Sequence, residues 1–203
     1  NTVWKLTAIA LSRTSNKLYC ANIDSSTIEV IDCQTNQVIK TVHFAHTTSD
    51  LVWCSANDEI SCARPDDYSI GVINCATDSL VADIRTLGRP EALCYNPISN
   101  KVYSSSGSAL DIIDANSHNI IQHIPLAGGS YFITFNTVNN RVYCFNEWGN
   151  NGVVIDGVGD TLITTLTFQP DSWLQCADYN ATVNHVYLGD NVGNISGYDT
   201  YIY

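Results

Sequence analysis

A two-part signature returns through the chain at a nearly constant step, and no other property of the sequence restricts its fold as much. The first part is a polar turn followed by an apolar-Tyr pair: Asn16-Lys17-Leu18-Tyr19, Asn100-Lys101-Val102-Tyr103, Asn140-Arg141-Val142-Tyr143 and Asn184-His185-Val186-Tyr187. Asp58-Glu59-Ile60-Ser61 fills the gap with Ser for Tyr, so the steps are 42, 42, 40 and 44 residues. The second part is Val30-Ile31-Asp32, Val72-Ile73-Asn74, Ile112-Ile113-Asp114, Val154-Ile155-Asp156 and Gly197-Tyr198-Asp199, with steps of 42, 40, 42 and 43. Two separate anchors on one period make a five-fold structural repeat, because each unit of this length is one supersecondary element that buries its apolar surface on its neighbours.

Within a unit the pattern alternates over short β-type runs, and no 3.6-residue periodicity competes with it. The first unit contains runs over 8–13, 17–22, 27–32 and 37–42, separated by Thr14-Ser15-Asn16, Asp24-Ser25-Ser26 and 33–36, all rich in turn formers. The third repeats this order over 91–95, 101–104, 109–114 and 120–124. Four strands in about 40 residues is a β-propeller blade. The expected fold is therefore all-β: a five-bladed β-propeller of four-stranded antiparallel blades, one domain over 1–203. The units fall at 7–42, 50–84, 91–124, 131–166 and 173–203, the last completed by 1–6. Thr2-Val3-Trp4-Lys5-Leu6 resembles the outer-strand segment 37–42, and the last unit shows no fourth strand of its own, so the N-terminal strand is expected to close the ring and remove two sheet edges. Leu11, Trp53, Tyr95, Phe135 and Tyr179, each eight residues before the first anchor, are expected on inner strands packed between blades.

Composition then bounds function. With 203 residues, 20 acidic against 9 basic side chains and a net charge of −11, the chain lacks the Lys/Arg surface that tracks a phosphate backbone, so no nucleic-acid partner is expected. No apolar run is long enough to span a bilayer as a helix. The chain opens on Asn1 with neither an initiator Met nor a leader, which reads as a processed product or an excised piece. Eight Cys recur at equivalent unit positions: Cys20, Cys62 and Cys144 after the first anchor, Cys33 and Cys75 after the second, and Cys54, Cys94 and Cys176 on inner strands. They read as small buried hydrophobes copied with the repeat. Cys20 and Cys33 sit about four residues out of opposition across their hairpin, beyond disulfide reach. No Cys-x-x-Cys or zinc-ligand spacing occurs, and Asp156-Gly157-Val158-Gly159-Asp160 precedes no helix, so no metal and no cofactor is expected.

The third unit, Leu87-Gly88-Arg89-Pro90-Glu91-Ala92-Leu93-Cys94-Tyr95-Asn96-Pro97 continuing into Asn100-Lys101-Val102-Tyr103 and Leu110-Asp111-Ile112-Ile113-Asp114, resembles a repeat of the YVTN-type β-propeller family. The likeness extends through all five units. It implies a propeller in a secreted or cell-surface protein, and it carries no catalytic motif, since fold alone does not specify chemistry.

Loops joining an outer strand to the next inner strand line one mouth of a propeller, and here they are 6–7, 43–50, 86–91, 126–131 and 167–173. They supply His46, Asp50, Arg89, Glu91, Tyr131, Asp171 and Trp173 as candidate ligand contacts, with Tyr131 and Trp173 suited to stacking. The expected role is a non-catalytic binding or interaction module, monomeric, extracellular or at the cell surface, with a protein or glycan partner. Small-molecule or glycan binding at the channel mouth, and a pure repeat scaffold, are the alternatives. A glycoside hydrolase using Asp50, Glu91 and Asp171 is a further one, since paired carboxylates carry that chemistry. Asn180-Ala181-Thr182 and Asn194-Ile195-Ser196 match the glycosylation sequon. The repeated Asp32, Asp114, Asp156 and Asp199 are expected to accept hydrogen bonds from the turn that follows each.

Overall fold

A computed structural model describes residues 5–126, 132–146, 151–168, 174–190 and 195–199, with the backbone alone for 175, 190 and 195–199. Its strands fall into five antiparallel sheets in simple meander order. Blade 1 comprises β1 (Leu6–Ser12), β2 (Lys17–Asn22), β3 (Thr27–Asp32) and β4 (Gln37–His43). Blade 2 comprises β5 (Asp50–Cys54), β6 (Glu59–Arg64), β7 (Ser69–Asn74) and β8 (Ser79–Arg85). Blade 3 holds β9 (Pro90–Asn96), β10 (Lys101–Ser106), β11 (Ala109–Asp114) and β12 (Asn119–Pro125). Blade 4 holds β13 (Phe132–Asn136), β14 (Arg141–Phe145), β15 (Asn151–Asp156) and β16 (Leu162–Thr167). Blade 5 has β17 (Leu174–Asn180), β18 (His185–Asp190) and β19 (Ile195–Asp199), three strands among the described residues.

The turn chemistry explains why Asn and Asp recur in the sequence. Asn16, Asp58, Asn100, Asn140 and Asn184 close the first hairpin of each blade in the left-handed region, with φ between 50° and 54°. Asn36, Asp78, His118 and Asp160 do the same for the third hairpin of blades 1 to 4. Short polar side chains tolerate this conformation best among non-glycine residues. The carboxylates or amides four residues earlier cap these turns as expected: Asp114 Oδ1 accepts Ser117 N at 2.8 Å and Asn116 N at 3.1 Å, and Asp32 and Asn74 act alike. Asp156 does so through both oxygens, Oδ1 to Val158 N and Oδ2 to Gly159 N. The turn after Asp199 lies outside the described residues.

Each apolar cluster is one blade-to-blade interface. Tyr19, Ile28 and Val30 of blade 1 meet Leu51, Ile60 and Ile73 of blade 2. Ile70, Val72 and Ile84 of blade 2 meet Leu93, Tyr95 and Val102 of blade 3. Tyr103, Leu110 and Ile112 then pack on Val142, Cys144 and Ile155, and Tyr143, Phe145 and Phe168 pack on Leu174, Val186 and Leu188. Fully burying one such side chain contributes about 1.5–3 kcal/mol, so these four seams carry the stability of the arc.

Polar locks cross the same seams, and the left-handed turn residues supply them. Lys17 Nζ and Tyr19 OH both donate to Asp78, at 2.8 and 2.7 Å. Lys101 Nζ and Tyr103 OH donate in the same way to Asp160, at 2.6 and 3.0 Å. Between blades 2 and 3 the acidic partner stands on the earlier blade, Glu59 Oε2 lying 2.9 Å from His118 Nε2. A second lock joins the end of an inner strand to the next blade's first turn: Asn96 Nδ2 to Asn140 Oδ1 at 2.7 Å and Asn136 Nδ2 to Asn184 Oδ1 at 2.8 Å. Ser12 donates to Asp58 in the equivalent place. Cys54 holds that position in blade 2, and Asn57, accepting from Asn100 Nδ2 at 3.0 Å, takes over the contact.

The five-blade propeller architecture agrees with the repeat. Lys5 and Leu6, expected in the last blade, instead join blade 1: Leu6 pairs with Asn22, and Lys5 O accepts Ile23 N at 3.0 Å. The rest of the expected closing strand, 1–4, lies outside the described residues. Of the five inner-strand residues, Tyr95 is buried and Trp53, Phe135 and Tyr179 are half-buried in seams, whereas Leu11 is exposed. Leu11 lies on the face of blade 1 that precedes the first seam, where no blade covers it among the described residues.

Candidate functional site

Strand direction alternates within a blade, so the loops between blades and the tip of each second hairpin share one end of the propeller. In blades 2 and 3 this end gathers a charged cluster around the 3-10 turn Pro65–Asp67. Pro65 starts the turn because its fixed φ suits a first helical position and it needs no donor there. Tyr68, left-handed at φ 52°, closes it through its N–H to Pro65 O.

Asp66 and Asp67, held side by side by this turn, collect basic side chains from two blade-connecting loops and from the ends of β6 and β8. His46 Nδ1 lies 2.7 Å from Asp67 Oδ1, and Arg85 Nη1 donates to Asp67 O at 2.6 Å. Arg64 Nε lies 3.5 Å from Asp67 Oδ2, an electrostatic contact too long for a strong hydrogen bond. The Arg64 guanidinium is anchored by Ser69 and Asp83 and lies over the Phe44 ring at 4.9 Å. Arg89 Nη1 reaches Asp66 at 2.8 Å while its Nε faces Glu91 Oε1 at 3.4 Å. The hydrogen bond to Asp66 raises the Arg89 pKa further, so its charge is permanent.

The Arg89 loop is fixed from behind by Gly88. A Cβ there would stand 2.4 Å from Ser106 O, so only glycine lets the loop lie on β10. Thr86 Oγ1 donates to Gly88 O at 2.7 Å and tightens the bend. Ser49 Oγ bonds Glu91 O at 2.9 Å, tying the loop before β5 to the start of β9.

Asp50 occupies a different environment. It is half-buried at the start of β5, with Oδ1 accepting Leu51 N and Oδ2 accepting Leu93 N, both at 2.8 Å. Burial raises its carboxyl pKa, and the two backbone donors oppose that rise. Each oxygen thus accepts one backbone N–H, and the pair of bonds staples the inner strands of blades 2 and 3.

The structure brings together His46, Arg89 and Glu91 of the sequence-expected set, linked through Asp66 and Asp67, and sets Asp50 beneath them as a staple. Tyr131, Asp171 and Trp173 lie outside the described residues. Asp66, Asp67, Arg64 and Arg85 complete the cluster and lie outside the set expected from the blade-connecting loops. The available signal was topological, since a second-hairpin tip shares its end with the blade-connecting loops. Among the described residues no group of three or more His, Cys, Asp or Glu side chains is arranged to hold a metal ion.

These features define a β-propeller. The chain is similar in structure to hydrazine synthase of Kuenenia stuttgartiensis, with a TM-score of 0.81 and 13% sequence identity over 98% of this chain and 67% of that one. At that identity the likeness shows the fold alone. No family model matches the chain, and no curated protein matches it by sequence.

Proposed function

We propose that the chain is a non-catalytic interaction module of the YVTN-type propeller kind, acting outside the cell or at its surface, and that its loop end between blades 2 and 3 holds a protein or glycan partner. The observation that carries this reading is the reciprocal pairing of the site: Arg89 with Asp66 and Glu91, and His46 with Asp67. Exposed ion pairs of this kind are worth about 0.2–1 kcal/mol each. A partner carboxylate exchanges readily onto Arg89 while its hydroxyls or cations take the released acids. The glycosidase alternative has less support, because both Asp50 oxygens are engaged by backbone donors.

Thermal shift against a panel of glycans, metal ions and metabolites tests the reading, because a ligand of the folded state raises Tm with concentration. A rise that disappears in Arg89→Ala supports this site. A rise unchanged in that variant refutes the site assignment, and turnover of chromogenic glycosides lost in Asp171→Ala refutes the non-catalytic reading.

A further inference from the structure

The second-hairpin tip of blade 2 departs from its counterparts at the residue that closes it. The carbonyls of Ser26, Tyr68 and Ser108 hold equivalent places, each accepting the N–H of the first residue after the outer strand: Phe44 at 3.0 Å, Thr86 at 3.0 Å and Leu126 at 2.8 Å. Blades 1 and 3 put serine there and blade 2 puts tyrosine. Tyr68 is left-handed at φ 52°, a place that, glycine aside, the described residues otherwise give to Asn, Asp, Ser and one His. A bulky side chain is strained in this conformation, and strain of that kind collects where a side chain is needed for function. The Tyr68 ring is 47% exposed and makes no hydrogen bond or ring contact among the described residues, so packing does not account for it.

Arg85 departs from the repeat in the same way. It ends β8 opposite Ser69, where blade 1 has His43 opposite Thr27 and blade 3 has Pro125 opposite Ala109. Its Nη1 is held by the Asp67 carbonyl at 2.6 Å, which fixes the guanidinium and leaves its charge without a carboxylate partner among the described residues. The other arginines of this end are matched, Arg64 by Asp83 and Arg89 by Asp66. Thr86, tied by its N–H to Tyr68, separates Arg85 from Leu87, which is 70% exposed. The end thus presents a fixed cation, an aromatic ring and an aliphatic side chain on two hydrogen-bonded segments. A guanidinium in this state takes a carboxylate through paired N–H donors. With the whole chain at −11, a run of acids would be repelled, so a single carboxylate among uncharged residues fits best. Tyr and Arg are the side chains on which protein contacts concentrate their energy, and a rigid mount lowers the ordering cost of binding.

We infer that Tyr68 and Arg85 anchor a protein segment that carries one carboxylate beside apolar side chains. This partner class rests on the reading of the end between blades 2 and 3 as the binding site, and adds to it the two residues that select the partner. Arg85 takes the carboxylate, Tyr68 and Leu87 cover the flanking apolar side chains, and the strain at Tyr68 is kept for that contact.

Selection from a displayed library of random peptides against the whole chain tests this, followed by titration of a selected peptide with its acid intact or changed to the amide. Selected peptides should carry a single Asp or Glu flanked by apolar residues. The amide form should bind at least about tenfold more weakly, as loss of a charge-assisted pair requires, and a second acid should also weaken binding. Arg85→Gln should lose the preference for acid over amide, and Arg85→Lys should keep part of it. Tyr68→Asn should raise Tm, because Asn suits the left-handed place, while binding the peptide at least about tenfold more weakly. Both positions are exposed, so the fold is retained, as far-UV circular dichroism checks. No enrichment above background, acid and amide bound alike, or full binding by Tyr68→Asn overturns the inference. Peptide binding lost in Arg89→Ala but unchanged in Arg85→Gln overturns it while leaving the loop-end site standing. Glucuronate-bearing glycan bound through Arg85, with no peptide selected, overturns it in favour of a glycan partner.

Discussion

Two glycines in one turn of blade 4 should respond in opposite ways to the same substitution. Gly157 follows Asp156 and donates its N–H to Asn140 O at 2.8 Å. A Cβ on Gly157 would stand 2.5 Å from Asn140 Oδ1, 2.6 Å from Asn96 Nδ2 and 2.7 Å from Asn140 O, so it collides with both partners of the blade 3–4 amide lock. Asn96 is fully buried, and separating it from Asn140 leaves a donor and an acceptor unsatisfied. Each orphan costs about 1–3 kcal/mol. The reduced freedom of the unfolded chain returns about 0.4–1 kcal/mol. Gly157→Ala is thus expected to destabilise by about 2–4 kcal/mol, within the range of broken buried networks. At Gly159 the nearest atom to an added Cβ is the Asp156 carboxylate oxygen at 3.1 Å, the end of a side chain that can swing aside. Gly159→Ala should leave stability within about 0.5 kcal/mol of wild type or raise it slightly. Urea unfolding followed by tryptophan fluorescence and by circular dichroism reads both variants, and the two probes together reveal whether blades separate in stages. Equal stability of Gly157→Ala and wild type would refute the packing argument, as would equal losses for the two variants.

All eight cysteines are free, and burial pushes the Cys54 and Cys94 thiols up to about 12 and Cys75 to about 11. At pH 8 in native buffer a thiol reagent should therefore react first with exposed Cys176 and next with half-buried Cys33, and in denaturant it should count eight; a lower count in denaturant would mean disulfides. The Asp50 carboxyl, raised by burial, should titrate by carbon-13 NMR above the ordinary aspartate value of about 3.9. Between that value and its folded pKa the native state holds more protons than the unfolded chain, so this group's contribution to stability falls as pH rises through the window; a midpoint at or below the ordinary value contradicts the assignment. Asp58→Ala removes the acceptor of Ser12, Ser15 and Trp53 Nε1 and should cost about 2–4 kcal/mol with a change in Trp53 emission, whereas unchanged emission would place Trp53 elsewhere.

The blades were legible in the sequence because the residues that mark their turns are under a backbone constraint. A left-handed position favours Asn or Asp whatever surrounds it, so Asn16, Asp58, Asn100, Asn140 and Asn184 recur with the period. The second use of Asp58, Asn140 and Asn184 as seam acceptors was not legible, since it depends on which side chain of the preceding blade arrives: Asn96 for Asn140, but Ser12 for Asp58. The candidate site was half legible for a similar reason. His46 and Arg89 stand on blade-connecting loops and Glu91 at the start of β9, which topology brings to one end. Asp66 and Asp67 reach them only through the shape of the Pro65–Asp67 turn, and nothing in the spacing marks Arg64 and Arg85 as their partners. Leu11 departs from its counterparts because burial on an inner strand comes from the neighbouring blade and not from the strand itself.

Blades held in order by repeated polar locks are the centre of this account, and a double-mutant cycle on Lys17 and Asp78 tests it most directly. Lys17→Glu sets two carboxylates against each other, and Asp78→Lys sets two ammonium groups together beside the buried Tyr19 hydroxyl. Each change alone should cost more than about 2 kcal/mol, given what removing one partner of a largely buried pair does. The double variant, which moves the carboxylate to the earlier blade as in the Glu59–His118 lock, should regain at least half of the summed loss as coupling energy. Losses that simply add in the double variant would show that the lock does not hold the seam.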